Sequence, residues 1–302
     1  MKDPGEGISW PDGPSSALEA RRLDGHSACY PTDAVRPRFV PERPEPVRFP
    51  AMFQGWDQMT FLHWPCDAGP LQARLPGGLT IDTYEETAWI GLTPFHLTGL
   101  RPPFLPAIRG LSDFPETNLR TYVRGPAGPG IWFFSLDAAS LPAVLGARLS
   151  YGLPYHWATM RVSMAARRVH YESARAGAAA SITVEIGEPL PDPDDLTLFL
   201  TERYRLYTRV LGLLAMAPVE HEPWPLHRAR LVDLKETVRR AAGLPDGDRP
   251  ALVHWSPGVG VRVGLPRWPP RGPGEIVMAR TEALTLLNED HEKVRKVLDA
   301  RT

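Results

Sequence analysis

Between Phe49 and about residue 265, apolar residues fall in short runs that partly alternate with polar ones, which is typical of β-strands with one buried face. The run LRTYVRGPAGPGIWFFSLDA predicts a hairpin with arms Leu119–Arg124 and Ile131–Leu136, because the Gly125–Gly130 loop supplies turn residues. RLYTRVLGLLAMAPVEHEPWPL predicts another hairpin, and ALVHWSPGVGVRV predicts the last strand.

A few short helices interrupt the strands. Apolar residues between 141 and 149 recur at helical spacing, with Asp137 as the expected cap and Gly152 as the expected end. Further helices are predicted in three segments, at Asp194–Tyr204, at about 233–242 and at Ala283–Ala300. The sequence therefore predicts an α+β fold dominated by an antiparallel sheet that closes into a barrel.

Proline divides the chain into three parts. The chain has 34 prolines in 302 residues, about twice the usual share of roughly 5%, which argues against a bundle of long helices. We predict a Pro-rich N-terminal extension over residues 1–48 and a folded domain over 49–265. Residues 266–302 are predicted to form a Pro-rich connector and a helical tail.

Charge and cysteine content exclude several classes of protein. Lys plus Arg is 34 and Asp plus Glu is 35, and this balance argues against nucleic-acid binding, which needs a basic surplus. Cys29 and Cys66 are too few for a disulfide-stapled scaffold or a cysteine zinc cluster. We find no signal-peptide pattern and no apolar run of roughly 18 residues, so we expect a cytoplasmic protein that does not enter membranes.

The first candidate site lies in GLSDFPETNLRTYV. If residues 118–123 form a strand, Asn118, Arg120 and Tyr122 share one face, close to Glu116. Inside a barrel, the forked guanidinium of Arg120 would bind a carboxylate. The alternative is a solvated outer face or a structural Arg–Glu pair.

The second candidate site follows a predicted helix in ARLSYGLPYHWATM. Tyr155 and His156 begin a strand and point to opposite faces, so at most one of them enters a given cavity. His156 would act as a general base, and Tyr155 would donate a hydrogen bond to a developing oxyanion. The alternative is packing with one hydrogen bond each.

Other chemical motifs are weak or missing. The histidines of HEPWPLH are six residues apart in a Pro-rich stretch, which disfavours a helical metal pair. GVGVRVG at 258–264 lies inside a strand pattern, so it does not indicate a nucleotide site. We find no GxSxG elbow and no Walker loop, and Cys66 has no nucleophile signature. We therefore predict neither a metal nor a cofactor.

Several motifs in order resemble one family. They are FLHWPCD, LPGGLTIDTYEETAWIGLTPFHLTGLRP, GLSDFPETNLRTYVR, GIWFFSLDA, GLPYHWATM, FLTERYRLYT and HEPWPL. Together they resemble the YqjF-like family of uncharacterised bacterial proteins, grouped with the acetoacetate decarboxylase-like superfamily, over about residues 49–265. The resemblance implies a β-rich, cone-like barrel with a buried cavity, and homo-oligomers.

The resemblance also reveals a departure. In the decarboxylases a Schiff-base lysine lies in a Gly-aromatic-Pro-Lys-Lys run, and the similar run here is Gly152-Leu153-Pro154-Tyr155-His156. Tyr155 therefore stands where that lysine would be. The lysines of this chain are Lys2, Lys235, Lys293 and Lys296. Lys235 lies in a charged pattern that predicts a solvent-facing helix, so imine chemistry is not expected.

Three functions remain open. The first is an enzyme that uses non-covalent acid/base chemistry on a carbonyl or carboxylate compound, by decarboxylation, isomerisation, dehydration or cyclisation. Its catalytic residues would be Tyr155, His156 and Glu116, and its substrate would bind Arg120, Asn118 and Tyr122. The second is a small-molecule binding or sensory protein without turnover. The third is an interaction protein that uses its proline-rich tails.

Overall fold

The computed structural model describes residues 39–42, 46–245 and 249–268. The strands of this part are β1 (Met52–Cys66), β2 (Thr80–Ile81), β3 (Ala88–Arg101), β4 (Phe114–Gly125), β5 (Gly128–Ala138), β6 (Tyr155–Trp157), β7 (Thr159–Ala165), β8 (Arg168–Arg175), β9 (Ala178–Pro189), β10 (Arg205–Val210), β11 (Leu213–His221), β12 (His227–Glu236) and β13 (Leu252–Val263). Its helices are α1 (Ala68–Gln72), α2 (Leu141–Tyr151), α3 (Asp195–Thr201) and α4 (Val238–Ala241). None of these helices is long and apolar enough to cross a membrane.

Seven strands form a closed ring in the order β1-β3-β4-β5-β10-β11-β13, and β13 pairs again with β1. The closing pair is antiparallel and runs from Met52 opposite Val263 to His63 opposite Leu252. The remaining path, β13-β12-β9-β8-β7, is an antiparallel extension of the same sheet. The predicted β-dominated barrel with few short helices is confirmed, with two parallel pairings, β5 with β10 and β5 with β6.

Alternation along the ring strands produces two main cores. On β4, Tyr122 belongs to the core inside the ring, together with Phe61 and Phe133. Leu119 belongs to the second core, which includes Ile182 and other residues of the extension. Because consecutive strand residues face opposite sides, one strand serves both cores.

The predicted hairpins and the last strand are confirmed. β4 pairs with β5 around the Gly125 turn, β10 pairs with β11, and β13 contains the whole ALVHWSPGVGVRV pattern except its first residue. α2 ends as predicted at Gly152, whose φ of 63° lies in the left-handed region that favours glycine.

Three helix predictions need correction. Ser140, not Asp137, caps α2, and its side chain accepts a hydrogen bond from the Ala143 amide. The helix predicted at 194–204 is only α3, because the chain turns into β10 immediately afterwards. In the helix predicted at 233–242, residues 233–236 belong instead to β12, whose pairing with β9 overrides the local charge pattern, and α4 is the helical part. The predicted helix Ala283–Ala300 lies outside the described residues.

The described part of the predicted N-terminal extension contacts the domain. The ring of Phe39 packs edge-on against Phe199 at 5.8 Å, and Glu42 forms a 2.9 Å ion pair with Arg205. The amide of Val47 donates a 2.8 Å hydrogen bond to the Glu220 carboxylate.

A buried ion pair joins the ring to the extension. Asp137, at the end of β5, is fully buried and accepts a 2.7 Å hydrogen bond from Arg175 Nε on β8. The hydroxyls of Ser135 and Ser173 also donate to Asp137, at 3.2 and 3.4 Å. The position predicted as a helix cap is therefore a packing and charge contact between the two parts of the sheet.

Removing the negative charge of Asp137 is expected to destabilise the domain. Asp137→Asn leaves the nearly buried Arg175 without its counter-ion, so the free energy of unfolding should fall by about 3 kcal/mol or more. Urea denaturation measures this change. The control is Glu188→Gln, which breaks an exposed pair with Arg167 and should cost less than about 1 kcal/mol. Equal losses in the two variants would contradict the assignment.

Candidate active site

The ring encloses a cavity of about 420 Å³. Most of its wall is apolar and buried, and includes Leu97, Phe114, Ile131, Phe133, Leu136, Leu153, Leu206, Val219 and Trp224. The exposed lining residues belong to α2, to the end of β3 and to the connection from β3 to β4, and include Arg101, Pro102, Leu111, Pro142, Gly146 and Ser150. The cavity therefore opens to solvent between α2 and this connection.

A row of polar side chains follows β4 into the cavity. Glu116, Asn118 and Arg120 occupy alternate positions, line the cavity and are buried. A strand rise of about 3.3 Å per residue places Glu116 roughly 13 Å along the backbone from Arg120, with Asn118 between them. The face of β4 that carries Asn118 and Arg120 is the inside of the ring.

Glu116 and Tyr155 form a hydrogen-bonded pair in the cavity wall. β6 places Tyr155 opposite Leu136, and its hydroxyl donates to Glu116 Oε1 at 3.0 Å. Burial raises the pKa of Glu116 to about 8, against the opposing effect of hydrogen bonds to Tyr155 and Asn118. Burial also raises the pKa of Tyr155 well above its ordinary value. At neutral pH both groups therefore carry their protons.

Arg120 is a buried cation held mainly by aromatic rings. Its Nη2 donates to the carbonyl of Leu200 at 3.2 Å, and its guanidinium carbon lies 5.7 Å from the Phe61 ring centroid. No carboxylate lies within ion-pair distance of Arg120 among the described residues. Arg203 also lines the cavity, but it pairs with Asp82 at 2.7 Å. Arg120 therefore has a positive charge that an anionic ligand would complement.

Four polar atoms of these lining residues are buried without a hydrogen-bond partner in the described part of the chain. They are Glu116 Oε2, Asn118 Oδ1, Arg120 Nε and Arg203 Nη2. Buried polar atoms in folded proteins are nearly always paired, so a group of unpaired ones around a cavity indicates a polar ligand.

Tyr122 supports the site from behind the cavity. It was predicted to bind substrate, but it is fully buried and is not among the lining residues. Its hydroxyl donates to the carbonyl of Leu200 at 2.8 Å and therefore accepts the 2.7 Å hydrogen bond from His63 Nε2. Because Arg120 bonds the same carbonyl, Tyr122 is placed to position Arg120 rather than to touch a ligand.

Tyr155 is the member of the Tyr155–His156 pair that lines the cavity. His156 projects elsewhere from the three-residue strand β6 and is not a lining residue. Burial and the charge of Arg175 lower the pKa of His156. The structure therefore groups Glu116, Asn118, Arg120 and Tyr155 and leaves out His156 and Tyr122.

The lining residues that the sequence did not indicate include Arg203 and His221. Arg203 follows α3 and enters the cavity because β10 pairs with β5. His221, at the end of β11, also lines the cavity, and its ring stacks on Tyr204 at 4.7 Å. In the HEPWPLH run, His221 was considered only as a possible metal ligand. Nothing in the local sequence indicates that its side chain lines the cavity.

Comparison with known proteins identifies the family. The DUF2071 profile, described as an uncharacterized conserved protein, matches residues 53–260. The chain belongs to the DUF2071 family. This DUF2071 protein is 40% identical over 210 residues to the uncharacterized protein YqjF of Bacillus subtilis (strain 168), and the alignment covers 68% of this chain and 87% of that one. The predicted YqjF-like resemblance is confirmed.

The fold of this DUF2071 protein is acetoacetate decarboxylase-like. It is similar to acetoacetate decarboxylase from Legionella pneumophila, with a TM-score of 0.54 and 14% identity, covering 83% of this chain and 98% of that one. It is also similar to an acetoacetate decarboxylase-like enzyme from Sphingomonas wittichii RW1, with a TM-score of 0.51 and 14% identity, covering 72% and 91%. At such identities the likeness concerns the fold.

The DUF2071 chain has no lysine among the described residues that line the cavity. Lys235 is exposed, as predicted, but it lies on β12 rather than on a helix. Tyr155 occupies the position after Gly152-Leu153-Pro154 and faces the cavity.

Because the pKa of Glu116 is raised in the folded state, the free energy of unfolding is expected to fall as the pH rises. Below the ordinary pKa of 4.5, Glu116 is protonated in the folded and unfolded states alike. Between about pH 4.5 and 8 only the unfolded state ionises, so folded stability falls by up to about 1.4 kcal/mol per pH unit. Glu116→Gln cannot ionise, so its stability relative to the unmodified protein should rise by about 3 kcal/mol from pH 5 to pH 8.

Urea denaturation at both pH values measures this difference. Glu188→Gln is the control, because the Glu188 side chain is 77% exposed, and its relative stability should not change with pH. A Glu116→Gln difference that is constant between pH 5 and pH 8 would show that Glu116 ionises normally.

Proposed function

We propose that this protein is an enzyme that acts without an imine on a small compound bearing a carboxylate and a carbonyl or hydroxyl group. The observation that carries the proposal is the combination of a protonated buried acid, Glu116, with a buried unpaired cation, Arg120, in one apolar cavity. Perturbed titratable groups that converge in a cavity favour a catalytic role. The acetoacetate decarboxylase-like fold supports a small-molecule site.

In this proposal Arg120 anchors the substrate. Its unpaired Nε donates to the carboxylate, and its other end stays on the Leu200 carbonyl, where Tyr122 holds the same acceptor. Asn118, next along β4, contributes a further polar contact. A carboxylate that supplies the missing counter-ion of Arg120 lowers the cost of keeping this charge buried.

Glu116 then acts as a general acid. Its protonated carboxyl donates to a substrate carbonyl or hydroxyl oxygen, and Tyr155 stabilises the resulting carboxylate through the existing hydrogen bond. The Glu116 carboxylate then accepts the proton released from carbon in enolisation or dehydration. In decarboxylation CO₂ leaves, water protonates the carbon, and Glu116 takes its proton back from the enol oxygen. Protonation of oxygen initiates decarboxylation, enolisation and dehydration alike, so these are the reaction types that the site supports.

A second candidate function is binding without turnover. The observation that favours it is that no lysine lies among the described residues of the cavity wall. The family resemblance puts Tyr155 where the decarboxylases have their Schiff-base lysine. In a binding protein, Arg120 would serve the same anchoring role, and Glu116 would act only as a hydrogen-bond donor.

Proton transfer by Glu116 predicts a distinctive pH profile. In a panel of 2-oxo, 3-oxo and hydroxy carboxylic acids followed by proton NMR, kcat/KM should fall tenfold per pH unit above about pH 8, where Glu116 loses its proton. Glu116→Gln should lower kcat about 10² to 10⁴-fold. Tyr155→Phe should lower the rate and move the fall to higher pH, because the hydrogen bond from Tyr155 lowers the pKa of Glu116.

His156→Ala is the matched control, because His156 lies beside Tyr155 but outside the cavity lining. Its rate and pH profile should match those of the unmodified protein. Acids that bind but are never consumed would support the binding function instead. Loss of activity in His156→Ala with full activity in Glu116→Gln would reverse the assignment of the acid.

A further inference from the structure

The polarity of the cavity wall differs between its inner end and its mouth. β4 enters from the connection after β3, whose Leu111 lies at the mouth, and it reaches Glu116 before Arg120. Arg120 is therefore the inner polar group. Most of the wall is apolar, and its polar lining residues besides Arg120 include Glu116, Asn118, Tyr155, Arg203 and His221. An occupant that satisfies this wall has a charged head and an apolar body.

The volume of the cavity exceeds what a short acid fills. At about 30 Å³ for each water-sized group, 420 Å³ holds roughly fourteen non-hydrogen atoms. An acid of four carbons has six non-hydrogen atoms and would leave more than half of the apolar wall uncovered. A straight-chain acid of twelve carbons has fourteen.

Apolar residues line the mouth on both sides, together with the exposed Arg101 and Ser150. From the connection between β3 and β4, Pro102 and Leu111 line the cavity, and Leu111 is 45% exposed. On the opposite side, α2 lines the cavity with Pro142, Ala143 and Ala147. Exposed apolar residues that are concentrated around one opening favour the entry of an apolar group.

We propose that the ligand of this cavity is an amphipathic carboxylic acid, with its carboxylate at Arg120 and an apolar body of about ten to twelve carbon atoms that runs past Glu116 and Tyr155 to the mouth. The inference rests on the proposed function, because it uses the same anchor, and it adds the size and polarity of the substrate. The reactive oxygen then lies along the body of the molecule, where Glu116 and Tyr155 meet it.

Isothermal titration with straight-chain acids from butanoate to tetradecanoate tests this proposal. The dissociation constant should fall about three- to fourfold per methylene and level off near dodecanoate, where the cavity is full. Octan-1-ol should bind at least tenfold more weakly than octanoate, and Arg120→Gln should remove this difference.

Gly146 offers a variant that tests the route of the apolar body. It lies on the lining side of α2, and a Cβ placed there meets no atom within 4 Å. Gly146→Phe should weaken decanoate binding at least tenfold and leave butanoate within twofold. Gly146→Ala is the control and should bind both acids normally. Calorimetric melting verifies that both variants are folded, and replacing this helical glycine is expected to favour α2.

The outcomes separate this inference from the proposed function. Equal affinity for short and long acids, or consumption of short acids only, would overturn the amphipathic substrate and leave the anchor at Arg120 intact. An equal loss of butanoate and decanoate binding in Gly146→Phe would overturn the route along α2. Failure of every carboxylate to bind would overturn the proposed function as well.

Discussion

The antiparallel pairing of β1 with β13 is the constraint on which the rest of the structure depends. This pairing joins the first and last long strands of the domain and closes seven strands into a ring. Closure removes two exposed strand edges and separates an inner from an outer face on each ring strand. Without it, the polar residues of β4 would lie on an open sheet in water, and no interior would hold a ligand.

Closure also changes the chemistry of ordinary side chains. Glu116 is buried inside the ring, and this burial favours its neutral form and raises its pKa to about 8. The guanidinium of Arg120 loses the water that would otherwise solvate it and contacts the rings of Phe61 and Tyr122 instead. The same desolvation thus produces a proton donor and an unpaired cation in one cavity. This desolvation lowers the stability of the folded state, and it also makes the two groups chemically reactive.

Some residues of the site come together through local strand geometry and others through pairing between distant strands. Only the first kind could be predicted from the sequence. Asn118 and Arg120 share a face because a strand has a period of two, and that relation is visible in the sequence. The choice between Tyr155 and His156 is not visible, because it depends on how β6 pairs with β5. Arg203 reaches the same cavity through the β5–β10 pairing across more than sixty residues of chain, which no local pattern encodes.

The sequence by itself determined the strand-rich class of the domain, both hairpins, the end of α2 at Gly152 and the family. These properties follow from short-range periodicity, turn residues and ordered motifs. Only the tertiary structure decided that residues 227–236 form a strand, because their pairing with β9 outweighs local propensity. It also decided that Asp137 binds Arg175 rather than capping a helix, and that Glu116 is protonated. The physical reason is the same in each case: hydrogen-bond pairing and desolvation depend on segments that are distant in the chain.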